Sequence, residues 1–173
     1  MNILLKTFSA ISLMASILFL SSCDKDDGGS KKSDSTPTKY EVGIGITVSD
    51  GALAVYDISG SCSSSNNAFT SVNLSSLNTA KKINQSVIGS KFPDDVKIEL
   101  IATPKPGLDA SRTYDGIKFE FNNNINVSRK NGKSAGAVDN DGRDVSGIAG
   151  DKIKEYRYSV TFSVAADGGV TKH

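Results

Sequence analysis

The sequence has few of the residues around which catalytic and metal sites are usually built. It contains no tryptophan, two cysteines and one histidine, His173, which is the last residue. A catalytic thiol needs a histidine beside it, and a zinc site needs several nitrogen or sulfur ligands. The chain also has neither a glycine-rich phosphate loop nor a GxSxG nucleophile elbow. These absences predict a protein that is not an enzyme.

An excess of charge of one sign is absent as well. The chain has 20 lysines and arginines against 19 aspartates and glutamates, which gives a formal net charge of +1. Binding to nucleic acid or to an anionic surface usually depends on a strongly basic patch or domain. We therefore expect no nucleic-acid partner.

The apolar run near the start of the chain is short. Residues 7–20 are uncharged and mostly apolar, and Lys6 is the only charged residue before Cys23. A membrane-spanning helix needs about 20 apolar residues, so this run is too short to cross a bilayer. It has the length of the apolar region of a secretory signal, and the small residues Ser21 and Ser22 follow it at the expected cleavage point. Residues 1–22 are predicted to be a signal peptide.

The four residues Leu20-Ser21-Ser22-Cys23 resemble a bacterial lipobox. The resemblance implies that the thiol of Cys23 carries fatty acyl chains such as palmitate, and that the chain is cleaved just before this residue. Each buried CH₂ contributes about 0.8 kcal/mol, and stable anchoring takes more than one acyl chain. A lipoprotein of this kind would have the membrane as a partner through its lipid anchor.

The residues after the anchor suggest where the protein is sent. Lys25-Asp26-Asp27 resembles the export signal of surface lipoproteins in Bacteroidetes, which implies the outer face of the outer membrane. Asp24 directly after the cysteine would favour inner-membrane retention in enterobacteria, and the alternative location is the periplasm-facing leaflet. Asp24 to Lys39 contains no large apolar residue, so residues 23–39 are predicted to be the lipidated cysteine and a flexible tether.

Residues 40–173 form the predicted domain, and alternation of apolar with polar residues predicts strands. Residues 40–48 and 52–58 are expected to form a hairpin around a turn at Ser49-Asp50-Gly51. The fold class is predicted to be all-β, an antiparallel β-sandwich of about seven strands that is immunoglobulin-like in general architecture, with a small β-barrel as the alternative. Further strands are expected at 69–74, 96–102, 117–121, 125–129 and 156–164.

Other segments are predicted to be irregular or helical. Residues 59–67 are expected to be a loop that holds Cys62, and an odd cysteine in an exported protein is a free thiol or an intermolecular bridge. A short helix is expected within 75–85, capped by Ser75 or Ser76. Asn122-Asn123-Asn124 is expected to interrupt a strand.

The clearest strand pattern lies at residues 156–164, where five apolar or aromatic residues share one face. One set of side chains is predicted to be buried: Tyr158, Val160 and Phe162. The set expected on the opposite face is Arg157, Ser159 and Thr161.

Residues 130–151 are predicted to be a long loop that holds the best candidate metal ligands, Asp139, Asp141 and Asp144. Alternating carboxylates around a glycine can surround calcium, which prefers several oxygen ligands. An EF-hand is not formed, because Ala137 and Ile148 would occupy its first and twelfth positions. No other cofactor is expected.

The function predicted from these features is binding without catalysis. A small β-domain on a lipid anchor and a tether suits a module for a glycan or protein ligand at the surface of the outer membrane, with Tyr40, Tyr56 and Tyr114 as candidate contacts. The alternative is a structural or assembly accessory of an outer-membrane or fimbria-like complex, in which exposed sheet edges accept a partner strand.

Overall fold

A computed structural model describes residues 35–173, which fold into an all-β domain. Seven strands have eight residues or more, and four shorter strands, two short helices and a 3₁₀ turn complete the architecture. The long strands are β1 (Pro37–Val48), β2 (Tyr56–Ser64), β4 (Lys82–Gly89), β5 (Asp94–Pro104), β7 (Ile117–Arg129), β8 (Ser134–Val145) and β10 (Tyr156–Val164). The remaining elements are α1 (Asp50–Val55), β3 (Val72–Asn73), α2 (Leu77–Ala80), β6 (Thr113–Tyr114), β9 (Ile148–Ala149), the 3₁₀ turn (Gly150–Lys152) and β11 (Val170–Lys172).

Two antiparallel sheets make up the body of the domain. The four-stranded sheet has the order β4-β1-β7-β8, the five-stranded sheet has the order β11-β10-β5-β2-β3, and β6 and β9 form a small separate ribbon. The inward side chains of both large sheets belong to one apolar core. The predicted sandwich-like all-β fold is confirmed, and the sheets do not close into a barrel. The strand order is not that of an immunoglobulin domain, because β1 and β2 lie in different sheets.

The predicted hairpin between residues 40–48 and 52–58 is wrong, because α1 separates β1 from β2. Ser49 caps this helix, and its Oγ accepts a hydrogen bond from the N–H of Ala52 at 3.1 Å. The same Oγ donates to the carbonyl oxygen of Gly116 at 2.6 Å, which holds the helix start against the neighbouring segment. The Ser-Asp-Gly sequence therefore starts a helix that carries the chain from one sheet to the other.

Two predicted loops are strands in the structure. Most of residues 59–67 belongs to β2, and residues 134–145 of the predicted long loop form β8, which pairs with β7 along its whole length. β7 is continuous through Asn122-Asn123-Asn124, so the predicted interruption is also wrong. The side chains of these segments are small or polar, and this composition suggested loops. The segments are strands because their backbones pair with neighbouring strands.

The chain between residues 75 and 89 is mostly strand. α2 is a single turn, and Lys81 ends it with a left-handed φ of 60° before β4 begins. At the other end of the domain, β1 begins at Pro37, so the last residues of the predicted tether are part of the sheet.

The predicted strand with the strongest alternation, residues 156–164, is confirmed as β10. β10 buries its predicted apolar face and turns the other face outward, although Thr161 is half-buried. β10 is not the last strand, because β11 pairs with its end at Phe162, Ser163 and Val164.

Candidate functional site

The outer face of the four-stranded sheet carries a row of amide side chains. Strand register places Asn84 of β4 opposite Gly45 of β1, and Asn122 of β7 opposite Asn140 of β8. The next outward positions along the strands are Ser86, Gly43, Asn124 and Val138. We call this surface the amide face, and define it by Asn84, Asn122, Asn124, Asn126, Asn140 and the glycines Gly43 and Gly45.

The glycines of β1 keep the amide face flat. A Cβ at Gly43 would lie 2.7 Å from Nδ2 of Asn124, and a Cβ at Gly45 would lie 2.6 Å from the carbonyl oxygen of Asn122. The contact at Gly45 is with backbone, so that position has no room for a side chain, whereas a side chain at Gly43 would displace the amide of Asn124. The side chain of Asn124 lies over Gly43 on the neighbouring strand β1. The centre of the face therefore carries short polar groups.

Several of these amides are available to a ligand. Within residues 35–173, no protein group forms a hydrogen bond with the side chains of Asn84, Asn122 or Asn140, and all three residues are exposed. Asn126 Nδ2 makes only a long contact of 3.4 Å to Oδ1 of Asn124. The middle rows carry no charged residue. An ion pair between Lys118 and Glu120, at 2.7 Å, lies toward one end.

A buried hydrogen-bond network lies directly beneath this face and connects the two sheets. The N–H of Gly45 donates to Oδ1 of Asn123 at 3.2 Å, and Nδ2 of Asn123 donates to Oη of Tyr158 at 2.6 Å. Tyr158 then donates to Oδ2 of Asp139 at 2.5 Å, and Lys172 Nζ lies 3.0 Å from the other oxygen of that carboxylate. Burial and the neighbouring Asp139 carboxylate raise the pKa of Tyr158 above its ordinary value. The network therefore keeps a neutral phenol between two polar partners.

The predicted calcium ligands are not brought together. Asp139 is buried and already engaged by Tyr158 and Lys172, whereas Asp141 is exposed on the same side of β8. Asp144 lies on the other face of β8, where it is paired across the strands with Lys118 of β7. No group of three or more metal-ligating side chains is found in the described part of the chain. The calcium site stays a prediction, and the loop on which it was based is a strand.

A second buried carboxylate lies at the start of β5. Oδ2 of Asp94 accepts hydrogen bonds from the hydroxyls of Tyr40 and Ser64, and Oδ1 accepts from Ser65 Oγ and the N–H of Asn66. Burial raises the pKa of Asp94, but these four bonds together outweigh it and leave the pKa below its ordinary value. Both oxygens are occupied, so this carboxylate serves to hold β1, β2 and β5 together.

An open cavity of about 270 Å³ borders this carboxylate. Its wall includes the hydroxyls of Ser65, Ser163 and Thr171 and the exposed carboxylate of Asp95. Because the oxygens of Asp94 are already paired, the polar groups that the cavity offers a ligand are these hydroxyls and the Asp95 carboxylate, and the rest of the wall is mostly apolar. Its polar groups are fewer and less regular than those of the amide face.

Two of the three tyrosines predicted as ligand contacts are in the core. Tyr40 is 0% exposed and Tyr56 is 1% exposed, and the hydroxyl of Tyr56 donates to the carbonyl oxygen of Lys154 at 2.9 Å. Both are therefore wrong as surface contacts, because their rings fill the space between the sheets. Tyr114 is half-buried, with the guanidinium of Arg112 5.2 Å from its ring centre.

Cys62 is buried within β2 and forms no disulfide. Burial raises the pKa of its thiol to about 12, so the thiol is protonated at neutral pH and unreactive. The bridge to another molecule that an odd cysteine would allow is not available at this buried position.

The predicted anchor residues lie outside the described part of the chain. Cys23 and the export-signal residues Lys25, Asp26 and Asp27 all precede residue 35. Among the described helices, none has the length and apolar character needed to cross a membrane. Comparisons with protein-family models, curated proteins and solved structures find no match.

Sequence reasoning missed the amide face, although a signal was present. Reading the period of two straight through residues 117–129 places Asn122, Asn124 and Asn126 on one face, opposite the apolar positions. The run of asparagines suggested a break in the strand and hid this pattern. The strand pairing that aligns them with Asn84 and Asn140 could not be read from one sequence.

Proposed function

We propose that this chain is a lipid-anchored lipoprotein on the surface of the outer membrane that binds a neutral glycan through its amide face, without catalysis. The observation that supports this most directly is a set of exposed side-chain amides that make no hydrogen bond to any group within residues 35–173: Asn84, Asn122 and Asn140. The lipobox-like and export-signal-like residues at the start of the chain support the location.

The chemistry of the face favours a polyhydroxylated ligand. Each amide presents a carbonyl acceptor and an NH₂ donor side by side, and neighbouring sugar hydroxyls offer the complementary donors and acceptors. The central rows lack charge, so they provide no attraction for an anionic ligand. Four strands spaced about 4.8 Å apart make a row roughly 14 Å long, which suits an extended chain better than a single ring.

The test is binding of the purified full chain to a panel of neutral polysaccharides by affinity electrophoresis, followed by calorimetry on any that bind. The variant Asn84→Ala, Asn122→Ala, Asn140→Ala removes the three free amides. Each hydrogen bond contributes about 0.5–1.5 kcal/mol, so the combined loss of affinity should be tenfold or more. The fold should be unaffected, because these side chains are exposed.

The matched control changes three exposed hydroxyls on the outer face of the other sheet: Ser59→Ala, Thr103→Ala and Ser159→Ala. This control should bind as tightly as wild type. The proposal is wrong if no neutral glycan binds, or if both triple variants lose the same affinity.

An assembly role is the second candidate, and the exposed edge of β4 favours it. That edge offers unpaired backbone groups to a partner strand.

A further inference from the structure

β4 is a long sheet edge that no other element of the described chain covers. It pairs only with β1, along a continuous register from Tyr40 opposite Gly89 to Thr47 opposite Lys82. Asn84, Gln85 and Ser86 are exposed, and Ile88 is 55% exposed, which makes it one of two large exposed apolar residues in the described region. A strand of this kind can accept a further strand.

Apart from Lys82 at its start, the edge has none of the features that usually prevent strand pairing. From Ile83 to Gly89 it contains no charged residue, no proline and no bulge. The opposite edge of the same sheet, β8, carries charges at Asp139, Asp141, Arg143 and Asp144. The edges of the five-stranded sheet, β3 and β11, are only two and three residues long.

The hydrogen bonds of β1 show which backbone groups of β4 point outward. The N–H of Val48 donates to the carbonyl oxygen of Lys81 at 2.8 Å, whereas the N–H of Ser49 donates toward β7, to Lys118. In an antiparallel pair, alternate residues point toward and away from the partner strand. The residues of β4 whose N–H and C=O groups face away from β1 are therefore Lys82, Asn84, Ser86 and Ile88.

We propose that β4 pairs antiparallel with β4 of a second copy of this chain, with Gln85 on the two-fold axis. In this register, every residue whose backbone groups face away from β1 lies opposite another such residue. Lys82 lies opposite Ile88 of the second copy, and Asn84 lies opposite Ser86 of the second copy. Each such pair can exchange two backbone hydrogen bonds. The inference concerns assembly, so it does not depend on the proposed glycan function.

Side chains are also self-complementary in this register. On the core side, Ile83 meets Val87 of the second copy, and the two Gln85 amides meet each other at the axis. On the outer side, the stem of Lys82 lies along Ile88 of the second copy. Glu41 is the neighbour of Ile88 on β1, so the ammonium group reaches toward a carboxylate of opposite charge. This charge complementarity favours a second copy over an unrelated strand.

The two-fold axis runs perpendicular to the sheets, so both outer faces lie on the same side. Joining the two four-stranded sheets gives one continuous sheet in which the amide faces are neighbours. A single strand pair is smaller than a standard interface of about 1,600 Å², so the dimer is expected to dissociate at low concentration.

Sedimentation equilibrium of the full chain, over micromolar to submillimolar concentrations, tests the dimer. Wild type should approach twice the mass of its single chain. Ser86→Pro should keep the single-chain mass, because it removes an N–H that faces away from β1. Ile88→Lys should weaken the dimer independently, since it places like charges opposite each other. Circular dichroism checks that each variant is folded.

Disulfide cross-linking tests the register. Two Gln85→Cys residues on the axis would have Cα atoms about 4.5 Å apart, within disulfide range, whereas two Ile88→Cys residues would be about 20 Å apart. Gln85→Cys should cross-link into dimers several times faster than Ile88→Cys, with wild type as the control for background cross-linking. A monomeric wild type, a folded Ser86→Pro that still dimerises, equal cross-linking rates, or cross-linking in cells to a different protein would each overturn the proposal.

Discussion

Two buried tyrosine–aspartate pairs join the sheets at the scale of single residues. Tyr40 of the four-stranded sheet donates to Asp94 of the five-stranded sheet, and Tyr158 of the five-stranded sheet donates to Asp139 of the four-stranded sheet. Each buried carboxylate is costly unless its oxygens are paired, and both are paired here. These contacts therefore favour one relative placement of the two sheets among the many that an apolar core would allow.

Asp94 makes the stability of the domain depend on pH. Its pKa is lowered in the folded state, so in the acid range the unfolded chain binds more protons and stability rises with pH. The stabilisation that the Asp94 carboxylate provides should be complete above the ordinary aspartate pKa of about 4. It should be lost as the pH falls through the lower pKa that Asp94 has in the folded state. Urea unfolding at pH 7 and at several values down to pH 3 measures this.

Asp94→Asn is the matched variant for this prediction. It keeps the size of the side chain but has no charge to lose, so its free energy of unfolding should depend less on pH between 5 and 3. The difference between wild type and variant should therefore shrink as the solution becomes acidic. Parallel curves for the two proteins would contradict the role assigned to the Asp94 carboxylate.

At the scale of elements, strands with a large apolar face could be predicted and strands without one could not. β5, β7 and β10 have the period of two in their own sequence. β8 turns Ala135, Ala137 and Asp139 inward, and it forms because β7 offers backbone partners along its whole length. α1 was missed for a different reason. Its Ser-Asp-Gly start also suits a tight turn, and the helix forms because Ser49 caps it and because the chain crosses here from one sheet to the other.

The candidate site depends on register more than on composition. Asn122, Asn124 and Asn126 could be placed on one face from the sequence alone, had the strand been read as continuous. Their alignment with Asn84 and Asn140 requires that β1 lie between β4 and β7, and that β8 be a strand. These are long-range pairings, and no local pattern in one sequence specifies them.

β10 allows a direct test of which face of a strand supports the fold. Phe162 is fully buried, so Phe162→Ala should lower the free energy of unfolding by about 3–5 kcal/mol. Thr161→Ala should cost much less, because its side chain faces the outer side and its backbone pairing with His173 is kept. Chemical denaturation of the two variants measures both values. Similar large losses would mean that the outer face is covered as well.

At the scale of the whole molecule, the proposed function needs a domain with a free face and a means of holding it at the membrane. The described domain supplies the amide face and the β4 edge on adjoining parts of one sheet. The residues proposed for anchoring and export come before residue 35 in the sequence, so they are not among the residues that form this face and this edge. Changes to the anchor should therefore alter location without altering the stability of the domain.

Cys23→Ala tests the anchor, because acylation at the thiol is what the lipobox-like sequence implies. Cells labelled with a fatty-acid analogue should show label on wild type and none on the variant, and the variant should leave the membrane fraction. Changing Lys25, Asp26 and Asp27 together to alanine should keep the label but place the protein on an inward-facing leaflet.

Protease treatment of intact cells distinguishes these outcomes. Wild type should be digested, and the triple alanine variant should be protected although it stays in the membrane fraction. Unfolding of the purified domain should be the same in all three proteins, since the changes lie outside it. Equal label on Cys23→Ala and wild type would remove the lipid anchor. Digestion of the triple variant at the wild-type rate would leave the anchor in place and reduce Lys25-Asp26-Asp27 to part of the tether.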